Sequence, residues 1–559
     1  MEASPPFDPT ADSPTLENDP ALGLERRAKF EILFAILLGM FLAALDQTIV
    51  GPVLPRIVTE LKGADYYTWV VTAYLLTSTV SIPVYSKLSD VFGRKPMLLA
   101  GIGLFLVGSA LSGLSQTMWQ LIAFRGLQGL GAGALFPISL AVIGDLFTPA
   151  ERAKYQGLFG AVFGIASLVG PFAGGMLTDN LSWRWIFYVN LPLGLVSLYL
   201  IWRLLPTVRQ TGARFNLDTA GVVTMALTIV PILIALTLAQ NGDWAAPGVI
   251  AGFAIGLVSL LAFLVAETRA EDPVIPLSLF RNRTFAVSGA ATFLSSFAFG
   301  VLIIFLPLWF QVVQGASSTA SGYDLLPFLL GLIVSSVVSG LIVSRTGRYK
   351  LLMIGGALVL AVGLAFFTNL RADTPTPVVW AWMIVAGIGV GPTMTVFTVI
   401  VQNAVPFKVM GTATGDLTLI RQIGTSVGLS ISFTVFRNSL SWDLLRTQVI
   451  AAGAPASAMA ATPPSGFDMG LLTSVGGGSS GGFGQFVSQV PAQFQLAVVD
   501  GFHQAFSIAL ANSMWIVVGA GVLSLGAALL LKELSLKTTS GAQDAEAHLN
   551  RIAAETVEP

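Results

Sequence analysis

Ser86-Lys87-Leu88-Ser89-Asp90-Val91-Phe92-Gly93-Arg94-Lys95 is a short charged stretch set between two long apolar runs. Its glycine suits a turn, and its basic residues suit a position near lipid headgroups. Farther along, Gly340-Leu341-Ile342-Val343-Ser344-Arg345-Thr346-Gly347-Arg348-Tyr349-Lys350 has a similar layout. Downstream of the first stretch lies Gly129-x-Gly131-x-Gly133. Downstream of the second, at nearly the same separation, lies Gly387-x-Gly389-x-Gly391. Glycine is common, with 58 in the 559 residues, but two features recurring at one offset speak for a duplicated chain. Duplicated halves are a usual transporter architecture.

Composition says what surrounds those halves. Hydrophobic residues make up 54% of the chain, charged residues only 11%, and the mean hydropathy is +0.78. Soluble domains carry about 25% charged residues, so lipid must cover most of this surface. A net charge of −1 argues against nucleic acid, which needs a basic face. The chain has no cysteine and two histidines, His503 and His548. Thiolate chemistry and cysteine zinc sites are excluded, and a histidine cluster is not expected. No Gly-Lys pair exists to form a Walker A loop, so the chain does not use ATP. No nucleophile–base set stands out, and no enzyme activity, cofactor or metal is expected.

A run of roughly 20 apolar residues crosses a bilayer as a helix. Fourteen such runs can be read, near 30–50, 67–86, 96–115, 118–145, 155–180, 183–205, 217–238, 246–266, 284–312, 322–344, 350–369, 378–402, 411–437 and 505–531. The expected fold is an all-α membrane protein. A disordered tail (1–29) precedes a six-helix half (30–205), and two inserted helices with flanking loops (206–283) lead to a second six-helix half (284–534). A long external loop (441–503) falls within the second half, and a polar tail (535–559) ends the chain. No cleaved leader is expected, since the first apolar run is too long for one. Gly476–Gly482 reads as a flexible linker within the loop, while Phe483, Phe486 and Phe494 could dip into the interface. One set of loops holds fourteen lysines and arginines, from Lys87 to Lys408, including Arg209 and Arg214; the opposite set holds six. The positive-inside rule then puts both termini in the cytoplasm of a multi-pass cell-membrane protein.

At this point the motifs resemble those of the major facilitator superfamily, in particular its fourteen-helix drug:proton antiporter branch. The first loop is similar to G-x-L-x-D-R-x-G-R-K, matching at Leu88, Asp90, Gly93, Arg94 and Lys95, with Ser86 and Val91 as departures. The fourth span resembles R-x-x-Q-G-x-G-x-G through Arg125, Gln128, Gly129, Gly131 and Gly133. The fifth resembles the antiporter motif through Gly170, Pro171, Gly174 and Gly175, with Ala166 at a position where glycine is usual. Leu45-Asp46-Gln47-Thr48-Ile49-Val50, Trp183-Arg184-Trp185-Ile186-Phe187 and Arg421-Gln422-Ile423-Gly424 add to the likeness, which covers roughly residues 30–440. It implies that Asp90, Gly93 and Arg94 belong to a cytoplasmic latch holding the halves in one state. Asp145, a plausible partner for Arg94, and Arg348, in the matching loop of the second half, are grouped with this latch.

Charges at bilayer depth are costly and functional by default. On this reading Asp46 lies about 6 Å from the outer end of its helix and Arg125 about 10 Å from the outer end of an antiparallel one, at 1.5 Å per residue. The two can meet if the helices adjoin, as the resemblance implies. Burial raises a carboxylate's pKa and a nearby guanidinium lowers it; a rocking transporter changes both, which suits Asp46 and Arg125 to proton coupling. A structural ion pair is the competing reading. Gln128 shares Arg125's face. Asp416, Arg421 and Gln422 form a second intramembrane polar set, with Asp416 and Arg421 about 140° apart round one helix. Pairs such as Gly129/Gly133 let helices approach closely.

The leading expectation is therefore a proton-coupled exporter of small hydrophobic or cationic compounds, working as a monomer in the bilayer. Export of a lipid or a dedicated metabolite is the alternative within transport. A non-transporting sensor or scaffold is the alternative outside it, and needs no buried charges.

Overall fold

The computed structural model describes residues 25–62, 66, 69–207, 218–240, 243–455, 487, 490–534 and 536. Most of the two expected tails, Arg209, Arg214, the Gly476–Gly482 run, Phe483 and Phe486 lie outside them. The described residues are helical, without strands. In lipid a helix satisfies every interior backbone group within its own segment, which is why apolar runs fold this way.

The first half comprises α1 (Arg26–Glu60), α2 (Trp69–Phe92), α3 (Arg94–Leu114), α4 (Met118–Leu146), α5 (Pro149–Asn180), the single turn α6 (Trp185–Tyr188) and α7 (Asn190–Leu204). Two helices follow, α8 (Thr219–Ala239) and α9 (Pro247–Arg269). The short α10 (Ser278–Arg281) leads into the second half: α11 (Arg283–Val313), α12 (Ser318–Asp324), α13 (Leu326–Thr346), α14 (Lys350–Phe367), α15 (Thr376–Ala404), α16 (Met410–Ser439), α17 (Trp442–Ala451) and α18 (Ala492–Leu530).

Thirteen spans among the described residues are long and apolar enough to cross a membrane. The fourteenth, α2, has the length but is rich in serine and threonine. Its hydroxyls bond to its own helix: Ser78 and Thr79 donate to Leu75 O, Ser81 to Ser78 O, and Ser86 to Ile82 O. These bonds satisfy the side chains inside the bundle, where α2 packs against α4 and α16. The result is two six-helix halves with α8 and α9 inserted between them.

The duplication is visible in packing. In α4, Cβ atoms at Gly129 and Gly131 would collide with α2 and α3; in α15, Cβ atoms at Gly387 and Gly389 would collide with α13 and α14. In both halves, therefore, absent side chains let one helix seat against the same two partners. The turns that precede α3 and α14 also match. Gly93 has φ +93° and Gly347 φ +66°, the left-handed region where glycine is least strained.

The inserted pair lies over the seam. Leu76 and Ile82 of α2 and Leu419 of α16 share one apolar cluster with Met225, Ile229 and Phe263. Ser430 donates to Leu236 O at 2.9 Å, and Trp244 Nε1 to Thr434 Oγ1 at 2.8 Å. The other face of α9 is open, with Leu257, Val258 and Leu261 exposed, as suits contact with lipid.

Two segments differ from the sequence reading. Helix α1 does not stop near residue 50 but continues past Pro52 and Pro55 to Glu60. A proline removes one backbone bond without ending a helix that packing supports, and α1 packs on α5 and α7. Asp46 is thus about 21 Å of helical rise from that end, deeper than the expected 6 Å. The segment 441–503 is also less of a loop than expected. It contains α17, and α18 begins at Ala492 rather than near 505. Trp442, Leu445 and Val449 of α17 join Val498 and Phe502 of α18 in the core of the second half; this amphipathic burial is what keeps them helical.

Candidate functional site

Asp46 is fully buried on α1, with 0% exposure. Its Oδ2 accepts from Arg125 Nη1 of α4 at 2.6 Å, and its Oδ1 accepts from Gln128 Nε2 at 2.8 Å. Arg125 Nη1 also donates to Gln128 Oε1 at 2.8 Å, the two residues being one helical turn apart on the same face. Asn190, at the start of α7, donates from Nδ2 to Asp46 Oδ1 at 3.0 Å and to Ser109 Oγ of α3 at 3.1 Å. The Arg125 guanidinium carbon lies 4.2 Å from the centroid of the Tyr74 ring and 5.7 Å from that of Phe187. Two helices, α4 and α7, thus give the carboxylate of α1 three donors, and aromatic rings cover the cation. Breaking such a pair by removing one member leaves a buried charge and costs about 3–5 kcal/mol.

Gly170 and Gly174 seat the helix that carries Asp46. A Cβ at Gly170 would strike Thr48, and one at Gly174 would lie 2.8 Å from Ile49 O. Thr48 Oγ1 donates to Ala166 O of α5 at 2.9 Å. The residue standing where glycine is usual thus makes its contribution through the backbone. Pro171 lies against Gly322 of α12 in the other half, and Gly175 is half-buried beyond it.

A second centre lies at the end of the bundle where α2 meets α3. Asp90 accepts from Arg94 Nη1, and Arg94 Nε donates to Asp145 Oδ2 of α4 at 2.9 Å. The other oxygen of Asp90 crosses to the second half, accepting from Thr412 N and Thr412 Oγ1, both at 2.7 Å. Thr412 N is one of the otherwise free donors in the first turn of α16, and a carboxylate there also opposes the positive end of the helix dipole. Gly411 is needed for this approach, because a Cβ would lie 2.6 Å from Arg94 Nη1 and collide with Asp90. Deeper in the same seam, Gln156 Nε2 of α5 donates to Gln402 Oε1 of α15 at 2.8 Å. Arg348 stays outside this set, exposed beyond α13. The matching loop is fastened instead by Glu533, which accepts from Tyr349 N at 2.8 Å, and by Tyr349 Oη, which donates to Lys532 O. Sequence repetition carried the Gly-Arg pair into the second half without the acids that surround Arg94.

The second intramembrane set is not an ion pair. Asp416 is 1% exposed, and neither of its carboxyl oxygens has a partner among the described residues. Arg421 is half-buried; among the described residues its guanidinium donates to Met394 O, at 3.4 Å, and lies over the Phe159 ring. Gln422 is half-buried beside it in sequence. The wide angle between Asp416 and Arg421 round the helix keeps them apart.

The Major Facilitator Superfamily profile matches residues 36–429. The chain belongs to this superfamily. As a facilitator it is a membrane transporter, not an enzyme, and its relatives agree. It is 36% identical over 505 residues to the multidrug transporter protein MdtP of Bacillus subtilis (strain 168), covering 88% of this chain and 91% of that one. It is 32% identical over 437 residues to the efflux pump FUS6 of Gibberella fujikuroi, covering 76% and 79%. The fold is also that of the human organic anion transporter MFSD10, with a TM-score of 0.60 at 15% identity over 90% of this chain and 99% of that one.

In this facilitator, sequence reasoning missed two site residues. Asn190 follows the Trp183–Phe187 stretch and is a lone amide at the head of an apolar run; that polarity was the available signal. Thr412 had none, since a hydroxyl and a backbone N–H at a helix start carry no mark in sequence. Arg184 of the same stretch ties the far end of α1, donating to Glu60 at 2.6 Å. That bond holds the Glu60 carboxyl below its usual range.

Proposed function

We propose that this facilitator exports small hydrophobic or cationic compounds in exchange for protons, with Asp46 as the proton-carrying acid and Arg125 as its counter-charge. The observation that carries the reading is the fully buried Asp46, bonded to Arg125, Gln128 and Asn190. A carboxylate so placed is expensive to keep unless its charge is used. Rocking one half against the other changes its solvation while Arg125, in the same half, stays beside it as counter-charge, so the same acid gains a proton in one state and loses it in the other. The excess of lysine and arginine near Arg94 supports a cytoplasmic position for that end, both termini included, in the cell membrane. The Asp90–Thr412 and Gln156–Gln402 contacts then close the cytoplasmic side, leaving Asp90, Gly93, Arg94 and Asp145 as the latch. The relatives named as a multidrug transporter and an efflux pump support the export direction.

The test is transport by protein reconstituted in liposomes. Ethidium should accumulate against its gradient when a pH gradient is imposed, and an uncoupler should abolish this. Asp46→Asn should keep ethidium binding and lose pH-driven accumulation. Wild-type rates of uphill transport in Asp46→Asn would refute the coupling role, with Asp416 the next acid to examine.

A further inference from the structure

In the first half Asp46 and Arg125 neutralise each other, whereas Arg421 in the second half has no such partner among the described residues. It enters no ion pair among the described residues, and its Nε is buried without an acceptor. Its one hydrogen bond, to Met394 O at 3.4 Å, is long for a guanidinium, and normal N–H···O bonds fall at 2.7–3.2 Å. Asp416 is sealed elsewhere on the helix, and Asp46 is held by three other donors.

Depth places Arg421 at the middle of the seam. It lies eleven residues into α16, about 16 Å of rise, close to half of a 30 Å hydrocarbon layer. Phe159 of α5, in the opposite half, lies at about 15 Å by the same rise, and its ring centroid is 5.6 Å from the guanidinium carbon. Aromatic surface continues from there. Phe136 meets Phe159 edge-on at 5.6 Å, and Phe163, one turn further along α5, meets Phe299 of the second half at 5.7 Å. Arg421 keeps partial exposure although its Nε is buried.

An unpaired guanidinium at this depth costs several kcal/mol, and the long bond to Met394 O and the contact with Phe159 offset only part of that cost. We infer that Arg421, with the aromatic surface around Phe159, is the recognition site for the carboxylate of an aromatic, amphipathic cargo. Arginine suits this task because its planar fork matches a carboxylate with two parallel bonds. The aromatic body of the cargo would lie on Phe159 and Phe136. This deepens the export reading and rests on it: among the hydrophobic or cationic compounds exported, those that are aromatic and also carry a carboxylate are preferred.

Rhodamine 110 and rhodamine 123 provide a matched pair, since the second is the methyl ester of the first and lacks the free carboxylate. Binding of each to the full-length protein in lipid nanodiscs is read by fluorescence anisotropy, and export of each is read in liposomes with a pH gradient. Wild type should bind rhodamine 110 more tightly than rhodamine 123. Arg421→Gln should weaken rhodamine 110 binding about tenfold or more, as loss of a charge-assisted bond does, and leave rhodamine 123 unchanged. Arg421→Lys should recover part of the loss. Equal loss of both dyes would show a structural arginine and overturn the inference, as would no change in either or a wild type that prefers the ester. Should Arg421→Gln fail to fold, the wild-type preference and Arg421→Lys decide alone. The two readings fail differently. Arg421-dependent binding without export of either dye would refute export and leave the carboxylate site standing. Arg421-independent export of rhodamine 123 alone would refute the site and leave export standing.

Discussion

Asp46 and Arg125 are buried together, and each is the other's counter-charge. Removing the cation alone strands a carboxylate among apolar helices; neutralising both removes the conflict. Arg125→Gln should therefore lower stability by about 3–5 kcal/mol, whereas Asp46→Asn/Arg125→Gln should regain at least half of that. Thermal melting of the purified variants checks this, and a double variant no better than Arg125→Gln would mean that the two side chains do not act as a pair. The sequence made both residues conspicuous, since a charge within an apolar run is rare. It could not reveal Asn190 as the third partner, because an amide at a helix start has many innocent uses. It also overextended the latch to Arg348, whose Gly-Arg context repeats that of Arg94 while its neighbours do not.

At the scale of the helix, close approach is what turns apolar runs into a bundle. With no hydrophobic force between helices in lipid, packing of small residues takes over. Gly174 shows how tightly this constrains α1 and α5. A methyl group there would sit 2.8 Å from Ile49 O, so Gly174→Ala should force a backbone shift costing about 1–3 kcal/mol and disturb the helix that carries Asp46. Gly103 of α3 has open space around its Cβ direction, and Gly103→Ala should be tolerated. Comparing the melting midpoints of these two alanine variants tests the assignment, and equal midpoints would contradict it. Hydropathy read most helices correctly, but it could not extend α1 through two prolines or find α17, because both outcomes depend on what the helix packs against.

For the whole molecule, the relevant quantity is the balance between arrangements of the two halves. Asp90 bonds to Arg94 in its own half and to the first turn of α16 in the other, so it stabilises only arrangements that keep that end closed. Asp90→Asn or Arg94→Ala should slow net transport about tenfold, the scale of one charge-assisted bond, while cargo affinity changes little. Reconstituted transport alongside equilibrium binding separates the two quantities. Parallel losses in both would place these residues in the binding site instead.

Composition, periodic apolar runs and the repeated Gly-Arg loop by themselves determined that this is a duplicated helical membrane transporter, and they singled out Asp46, Arg125, Asp90 and Arg94. They could do so because crossing lipid imposes length and hydropathy on each helix separately, and because a charge placed there is conspicuous without reference to any neighbour. Only the tertiary structure decided that Asp46 meets Asn190 as well as Arg125, that Asp90 reaches Thr412 at a sequence separation of 322, and that no described acid pairs with Arg421. Partnership between residues far apart in the chain is set by how helices rotate and pack, and no local pattern encodes it.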